Sequence, residues 1–319
     1  GLMAGPLAAQ APLPSKASVS DVVINALRWR NIGPANMMGR IVDIEGIASP
    51  SKTFYVSTAG GGLWKTTNNG TTFKSVMDTA RVSSGGDLAI APSDTNVIYW
   101  GTGEANSRNS ISPGGGIYKS TDGGKTWTFL GLADTRSIGR IQVHPTDPNT
   151  VWVAALGHPW GPNKERGLYK TTDGGKNWRL VKFIDDKTGF VDVQLDPRDP
   201  NTLWASSYER LRGPYFLKSG GTGSALWKST DGGATWAQMN NYNVRPFYYS
   251  QVRVDPKDAN RVYWSSTPVK YSSDGGKTAG NTTEGIHVDH HAMWINPKNG
   301  DHMIIGGDGG VGITYRLGK

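Results

Sequence analysis

The chain of 319 residues contains no cysteine. That excludes a disulfide framework and any thiolate metal site, and it leaves the compartment open. No apolar run reaches the ~18 residues a membrane-spanning helix needs. Charged residues make up only 19 % of the chain, and the excess of basic over acidic residues, +8, is scattered with no dense Lys/Arg run. Without such a run or a nucleic-acid-binding motif, DNA binding is excluded. The excess suits an anionic membrane surface or an acidic protein partner instead. No HExxH or comparable spacing marks a catalytic metal. What the chain has in quantity is glycine (43) and tryptophan (12), a composition of turn-rich β structure rather than helices.

The stretch STDGGKTW at 120–127 recurs as TTDGGKNW at 171–178 and STDGGATW at 229–236. Looser copies are TTNNGTTF at 66–73, SSDGGKTA at 272–279 and a worn TYRLGK at 314–319. Recurrence every 42 to 58 residues is the mark of a repeat architecture. A catalytic centre needs one asymmetric cluster, not six equivalents. The box also has the chemistry of a turn: Ser/Thr and Asp side chains bond nearby backbone N–H groups, and Gly accepts positive φ. Asp122, Asp173, Asp231 and Asp274 are therefore expected to lock hairpins. Calcium binding is the alternative, but the further carboxylates of a calcium loop are missing.

A second motif accompanies the box. Short apolar strands end in Pro-x-Asp/Asn turns at Pro50, Pro92, Pro145, Pro197, Pro256 and Pro297, and another strand follows each. Each repeat then reads as strand, Pro-Asp turn, strand, Gly-rich loop, strand, box, strand. That is a four-stranded antiparallel meander, and six of them imply an all-β, six-bladed β-propeller. Pairs such as Leu88/Ile90, Ile141/Val143 and Val193/Leu195 are expected to pack between blades. The sixth repeat stops in its box. ALRWRNIGP at 26–34 resembles the strands after the boxes, so an N-terminal strand is expected to complete blade six and close the ring. The domain expectation is an arm at 1–25 and a single propeller at 26–319. The arm, with its small-residue zone LAAQA, reads as the end of an apolar leader or as a partner-binding tail. Export is the expectation, periplasmic or secreted and peripheral to a membrane.

The boxes, with WRNIGP, GTGEAN, GIYKSTDGGKTW and HVDHHAMWINP, resemble Asp-box (BNR) propellers, most of all exported bacterial sortilin-type proteins often labelled glycosyl-hydrolase-like. The resemblance covers nearly everything after residue 26. Related Asp-box propellers include sialidases, xyloglucanases, sortilin-like receptors and photosystem stability/assembly factors, so the resemblance implies the fold and not one activity.

Candidate chemistry is sparse. His287, Asp289 and His291 share one strand face; a hydrogen-bonded tunnel mouth is the preferred reading of the three, and a metal site the alternative. Asp87, Arg140, Asp192 and Gln251 hold equivalent inner positions and either cradle a polar ligand or pair with one another around a watered tunnel. Arg40, Arg140 and Arg253 are the candidates for a sialidase-like arginine triad. Glu104, Glu284 and Asp289 are the loop carboxylates to test for glycoside hydrolysis, which needs two at a defined separation. The loops at 156–167, 208–224 and 240–251 combine Trp160, Tyr215, Phe216, Phe247, Tyr248 and Tyr249 with Lys164, Arg166, Arg210, Arg212 and Lys218. Aromatic-plus-arginine composition is that of a protein interface. The expectation is a non-catalytic, protein-binding propeller with no cofactor. By the resemblance it would be an accessory or stabilising subunit of a membrane-associated complex, a photosynthetic one being one host. A glycoside hydrolase, or a glycan- or peptide-binding module, is the alternative.

Overall fold

The computed structural model describes residues 40–107, 111–242, 251–266, 268–283, 285–288 and 290–316, with the backbone alone at 291. The chain divides into two units, 1–37 and 38–319, and every described residue lies in the second. The expected boundary at 25/26 and the closing strand at 26–34 lie outside the described residues.

The fold is an all-β, six-bladed propeller. The first sheet runs Ile41–Gly46, Phe54–Thr58, Leu63–Thr66 and Lys74–Ser75; the second Gly85–Ile90, Ile98–Thr102, Ile117–Ser120 and Thr128–Phe129. The third runs Ile138–Val143, Val151–Ala155, Gly167–Thr171 and Arg179–Lys182; the fourth Thr188–Asp196, Asp199–Gly213, Ala225–Ser229 and Ala237–Asn240. The fifth runs Val252–Asp255, Asp258–Trp264, Lys270–Ser272 and Gly280–Asn281, and the sixth shows His290–Asn296, Asn299–Gly307 and Gly310–Thr314 among the described residues. All pairings are antiparallel and follow chain order within each sheet, with an added strand, Phe216–Ser219, that folds back on residues 210–213 before the fourth sheet continues at Ala225–Ser229. Helix among the described residues is one 3-10 turn, Ala133–Thr135.

A lone meander leaves both faces wet, so each sheet is buried by its neighbours. Five apolar clusters join consecutive sheets. Tyr55 and Leu63 of the first meet Leu88, Ile98 and Trp100 of the second. Tyr99 and Ile117 meet Ile141, Val143 and Val153; Trp152 and Leu168 meet Val193, Leu203 and Ala205. Trp204 and Leu226 meet Val252 and Val262, and Tyr263 and Val269 meet Met293, Ile295 and Ile305. The residues before the prolines pack between blades, as their spacing predicts.

The box is a closed hydrogen-bond unit. Ser120 Oγ accepts from the Gly124 N–H at 2.8 Å; Asp122 Oδ1 accepts the Lys125 and Thr126 N–H groups at 2.9 Å, and its Oδ2 takes the Thr126 hydroxyl at 2.6 Å. Asp173, Asp231 and Asp274 repeat this, and Asn68 replaces the carboxylate in the first box. The Thr126 hydroxyl and N–H hold the Asp122 carboxyl below the usual carboxylate range.

Two features tie each box to its surroundings. Within a blade, the N–H of the first box glycine donates to the carbonyl of the Pro-turn asparagine: Gly123 to Asn96, Gly174 to Asn149, Gly232 to Asn201 and Gly275 to Asn260, at 2.9–3.0 Å. Between blades, the lysine that precedes a box lies over an aromatic ring of its own sheet. Lys65 covers Tyr55, Lys119 Tyr99, Lys170 Trp152 and Lys228 Trp204. Lys65 and Lys170 then donate to the carbonyls of Gly123 and Gly232 in the next box, at 2.7 and 2.8 Å. In an antiparallel meander the Pro turns and boxes fall on one end of the sheets. The loops between second and third strands, and the connections between sheets, fall on the other.

Candidate functional site

Along the axis the inner strands present a row of charged side chains. Each carboxylate reaches the following sheet: Asp43 accepts the Leu88 N–H at 2.9 Å, Asp87 the Ile141 N–H at 2.7 Å and Asp192 the Val252 N–H at 2.7 Å. Arg140 bridges Asp87 at 2.9 Å and Asp192 at 3.1 Å. Arg253 meets Asp192 at 3.1 Å, Gln251 Oε1 at 3.0 Å and the Met293 carbonyl at 3.1 Å. Of the two sequence readings, the structure selects pairing within the row. Burial opposes the charge on Arg140, yet Asp87, Asp192 and Asp43 together hold its pKa above the ordinary arginine value. The arginines expected as a triad do not converge. Arg140 and Arg253 are spent on the axial carboxylates, while Arg40 donates from both Nε and Nη2 to Glu104.

Glu45 is pushed up to about 7 by burial and by the neighbouring Asp43 carboxylate. The folded protein therefore keeps a proton that an unfolded chain, with its glutamate at 4.5, has released. This contribution to stability is full below pH ~4.5 and is lost as the pH rises through ~7. Glu45→Gln, which cannot ionise, is expected to abolish this pH dependence and to be the more stable of the two at pH 8. Between pH 5 and 8 the wild-type-to-variant difference, read from urea midpoints, should change by on the order of 1–2 kcal/mol.

The axial row is roofed at the loop end. Residues 104–107 cross from the second sheet toward the fourth. The Ala105 carbonyl accepts Arg210 Nη1 at 2.8 Å, and Ser107 Oγ meets Arg210 at 3.2 Å and the Tyr208 hydroxyl at 3.3 Å. Beneath lies a cavity of about 70 Å³ lined by Val42, Asp87, Ala105, Asn106, Arg140 and Gln251. Glu104 is 1 % exposed and held by Arg40, so its carboxylate is closed off from solvent.

The loops of the third and fourth sheets rise beside this roof. Strand Asp199–Gly213 and strand Phe216–Ser219 make a hairpin with Tyr215 at its tip, 99 % exposed, and Phe216 58 % exposed. Glu209 secures its base by pairing with Lys218 and accepting the Gly223 N–H at 3.1 Å. Trp160, 53 % exposed, lies beneath the Arg212 guanidinium at 5.6 Å, and the Arg212 N–H donates to the Pro159 carbonyl at 2.8 Å. Lys164 is exposed in the same loop.

Arg166 and Arg210 correct the sequence expectation. Both were expected to contact a partner, and both are fully buried. Arg166 donates to the carbonyls of Lys187 and His158 at 3.0 and 2.9 Å, stitching the loops together from below. Burial, then the mutual repulsion of the two, lowers Arg166 to about 10; burial likewise lowers Arg210 to about 10. They hold the surface up and do not form it. A buried arginine and an exposed one read alike in a Gly- and Pro-rich loop, so composition alone could not separate them.

Phe247, Tyr248 and Tyr249, Glu284 and Asp289, and the side chain of His291, lie outside the described residues. His290 is buried, with Nε2 3.1 Å from the Thr283 hydroxyl. Among the described residues no cluster of three His, Asp or Glu side chains could hold a metal.

Six like-built sheets, the first five ending in box turns of this kind, define the chain as an Asp-box β-propeller. The sortilin–Vps10 family model (sortilin, neurotensin receptor 3) matches residues 115–270. A xyloglucanase of Hypocrea jecorina is 28 % identical over 258 residues, 67 % of this chain and 28 % of the relative. A photosystem II assembly lipoprotein, Ycf48, of Nostoc is 28 % identical over 192 residues, 53 % of this chain and 55 % of the relative. Among solved structures, the GH74 enzyme of Niastella koreensis superposes with a TM-score of 0.62 at 21 % identity, over 84 % of this chain and 44 % of that one. The chain thus spans less than a third of the xyloglucanase and about half of the Ycf48 protein. The resemblance read from the motifs stands: the relatives are GH74 and Ycf48 propellers.

Proposed function

We propose that the chain is a non-catalytic docking propeller whose partner is a protein of a larger, membrane-associated assembly, met outside the cytoplasm. The observation that carries this is the hairpin at 208–219. It lifts Tyr215 and Phe216 clear of the blades, beside Trp160 and Arg212, on loops fixed from below by buried arginines. Rigid aromatic anchors with arginine make up the energetic centre of most protein interfaces. The name of the Nostoc relative, an assembly lipoprotein, supports an accessory or stabilising role and a photosynthetic host complex. No helix among the described residues is long and apolar enough to cross a membrane, so attachment would run through this face or through segments outside the described residues.

The test is gentle detergent extraction from native membranes followed by affinity measurement on the complex that accompanies the chain. The double variant Tyr215→Ala/Phe216→Ala is expected to weaken binding at least ~30-fold, the equivalent of ~2 kcal/mol. Its melting temperature should stay within ~2 °C of wild type, because neither ring is buried.

Xyloglucanase relatives favour a second reading, a glycoside hydrolase. Hydrolysis of xyloglucan by the purified chain, abolished by Asp289→Asn, would establish it and overturn the first.

A further inference from the structure

At the opposite, box end of the sheets, the interface between the first and second blades differs from its repeats. Between the second and third blades, Leu130 packs on the second box glycine, Gly175, and its carbonyl accepts the Trp178 indole N–H at 2.9 Å. In the fourth blade the Trp236 indole N–H donates to Gly233 O at 3.1 Å. The residue equivalent to Leu130 is Val76: both donate their N–H to the first residue of the third strand, Val76 to Leu63 O and Leu130 to Ile117 O. The Trp127 indole N–H is left buried with no acceptor, and a groove of about 750 Å³ opens there. That lies within the ~300–1,000 Å³ typical of ligand sites.

The groove is lined by Lys65, Phe73, Lys74, Lys125, Thr126 and Trp127. The Phe73 ring is partly exposed. Lys74 and Lys125 are exposed and form no ion pair among the described residues. Burial, and then the nearby Lys125 ammonium, depress the Lys65 pKa against the opposing pull of the Asp122 carboxylate. Along the groove Lys65, Lys74 and Lys125 outnumber Asp78. The nearby carboxylates are engaged: Asp78 takes the Ser75 hydroxyl, and Asp122 closes its own box.

We propose that this groove binds an acidic oligosaccharide, with sugar rings against Phe73 and Trp127 and uronate carboxylates at Lys74 and Lys125. Flat aromatic faces offer a stacking platform, and the walls supply hydroxyls and ammonium groups rather than the aliphatic pockets that anchor peptide side chains. The site is separate from the loop face, so the two stand or fall independently.

Isothermal titration of the whole chain with trigalacturonate at low salt tests this. The expected result is saturable binding, at least ~10-fold weaker with maltotriose or with triglutamate, and weakened by 0.3 M NaCl. Lys74→Gln/Lys125→Gln, which touches no structural contact, should lower the affinity at least ~10-fold with an unchanged melting temperature. Tyr215→Ala/Phe216→Ala should leave it unchanged. No binding by wild type, equal binding of triglutamate or maltotriose, or wild-type affinity in the lysine variant would each overturn the proposal. None of these outcomes bears on partner docking through the loop face.

Discussion

Asp192→Ala is expected to destabilise the propeller by about 3–5 kcal/mol, the usual cost of removing one partner from a buried ion pair. Asp192 is 1 % exposed and receives Arg140, Arg253, the Val252 N–H and the Gln194 amide. It therefore joins blades three, four and five at one point. With the carboxylate gone, Arg140 keeps Asp87, but Arg253 retains only Gln251 and carbonyl oxygens. Two cations then lie close together in a site that holds them only because of the charge between them. Chemical denaturation measures the loss as a lower midpoint. Asp192→Asn should recover part of it, since an amide oxygen can still accept the Val252 N–H. A loss under ~1 kcal/mol in the alanine variant would mean that water replaces the carboxylate and that the axial row is not what binds these blades.

Gly103→Ala should cost about 3 kcal/mol or more, for two reasons that add. Its φ of +88° lies where an L side chain is strained. A Cβ there would also sit 2.0 Å from the Arg136 carbonyl oxygen and 2.8 Å from the Gly114 nitrogen. Both are backbone atoms, so neither can swing aside as a side-chain tip would. Gly103 starts the loop that carries Glu104 and roofs the axis. The variant should lose protection from hydrogen exchange first across residues 103–107 and the hairpin that rests on Ser107. A global midpoint shift without that local signature would contradict the view that this loop ties the second blade to the fourth.

The parts of the fold legible in sequence are those whose hydrogen bonds close within a few residues. Ser120, Asp122 and Thr126 lock one turn by themselves, and closely similar letters, with Asn68 for the aspartate and Asn177 for the threonine, give the same turn five times. The Pro-x-Asp-x-Asn turns behave likewise, and the alternation of the two motifs implied the meander and its repetition. The asparagine carbonyls and pre-box lysines were visible as letters too, but their roles were not, because the atoms they meet belong to another turn or another blade. Spacing placed Asp87, Arg140, Asp192 and Gln251 at matching positions without saying that Arg140 lies between two carboxylates. It likewise made Arg40 a triad member, whereas packing sets it against Glu104, 64 residues away.

The sequence by itself determined the repeat, the antiparallel meander and the turns that separate its strands, since local geometry follows from neighbouring residues and needs no partner. Only the tertiary structure decided which charges meet on the axis, which loop arginines are buried and which aromatics stand free. It also decided that the Trp127 indole N–H is left without an acceptor where a groove opens between two blades. Each of those depends on distances between segments far apart in the chain, and such distances exist only once the sheets have packed.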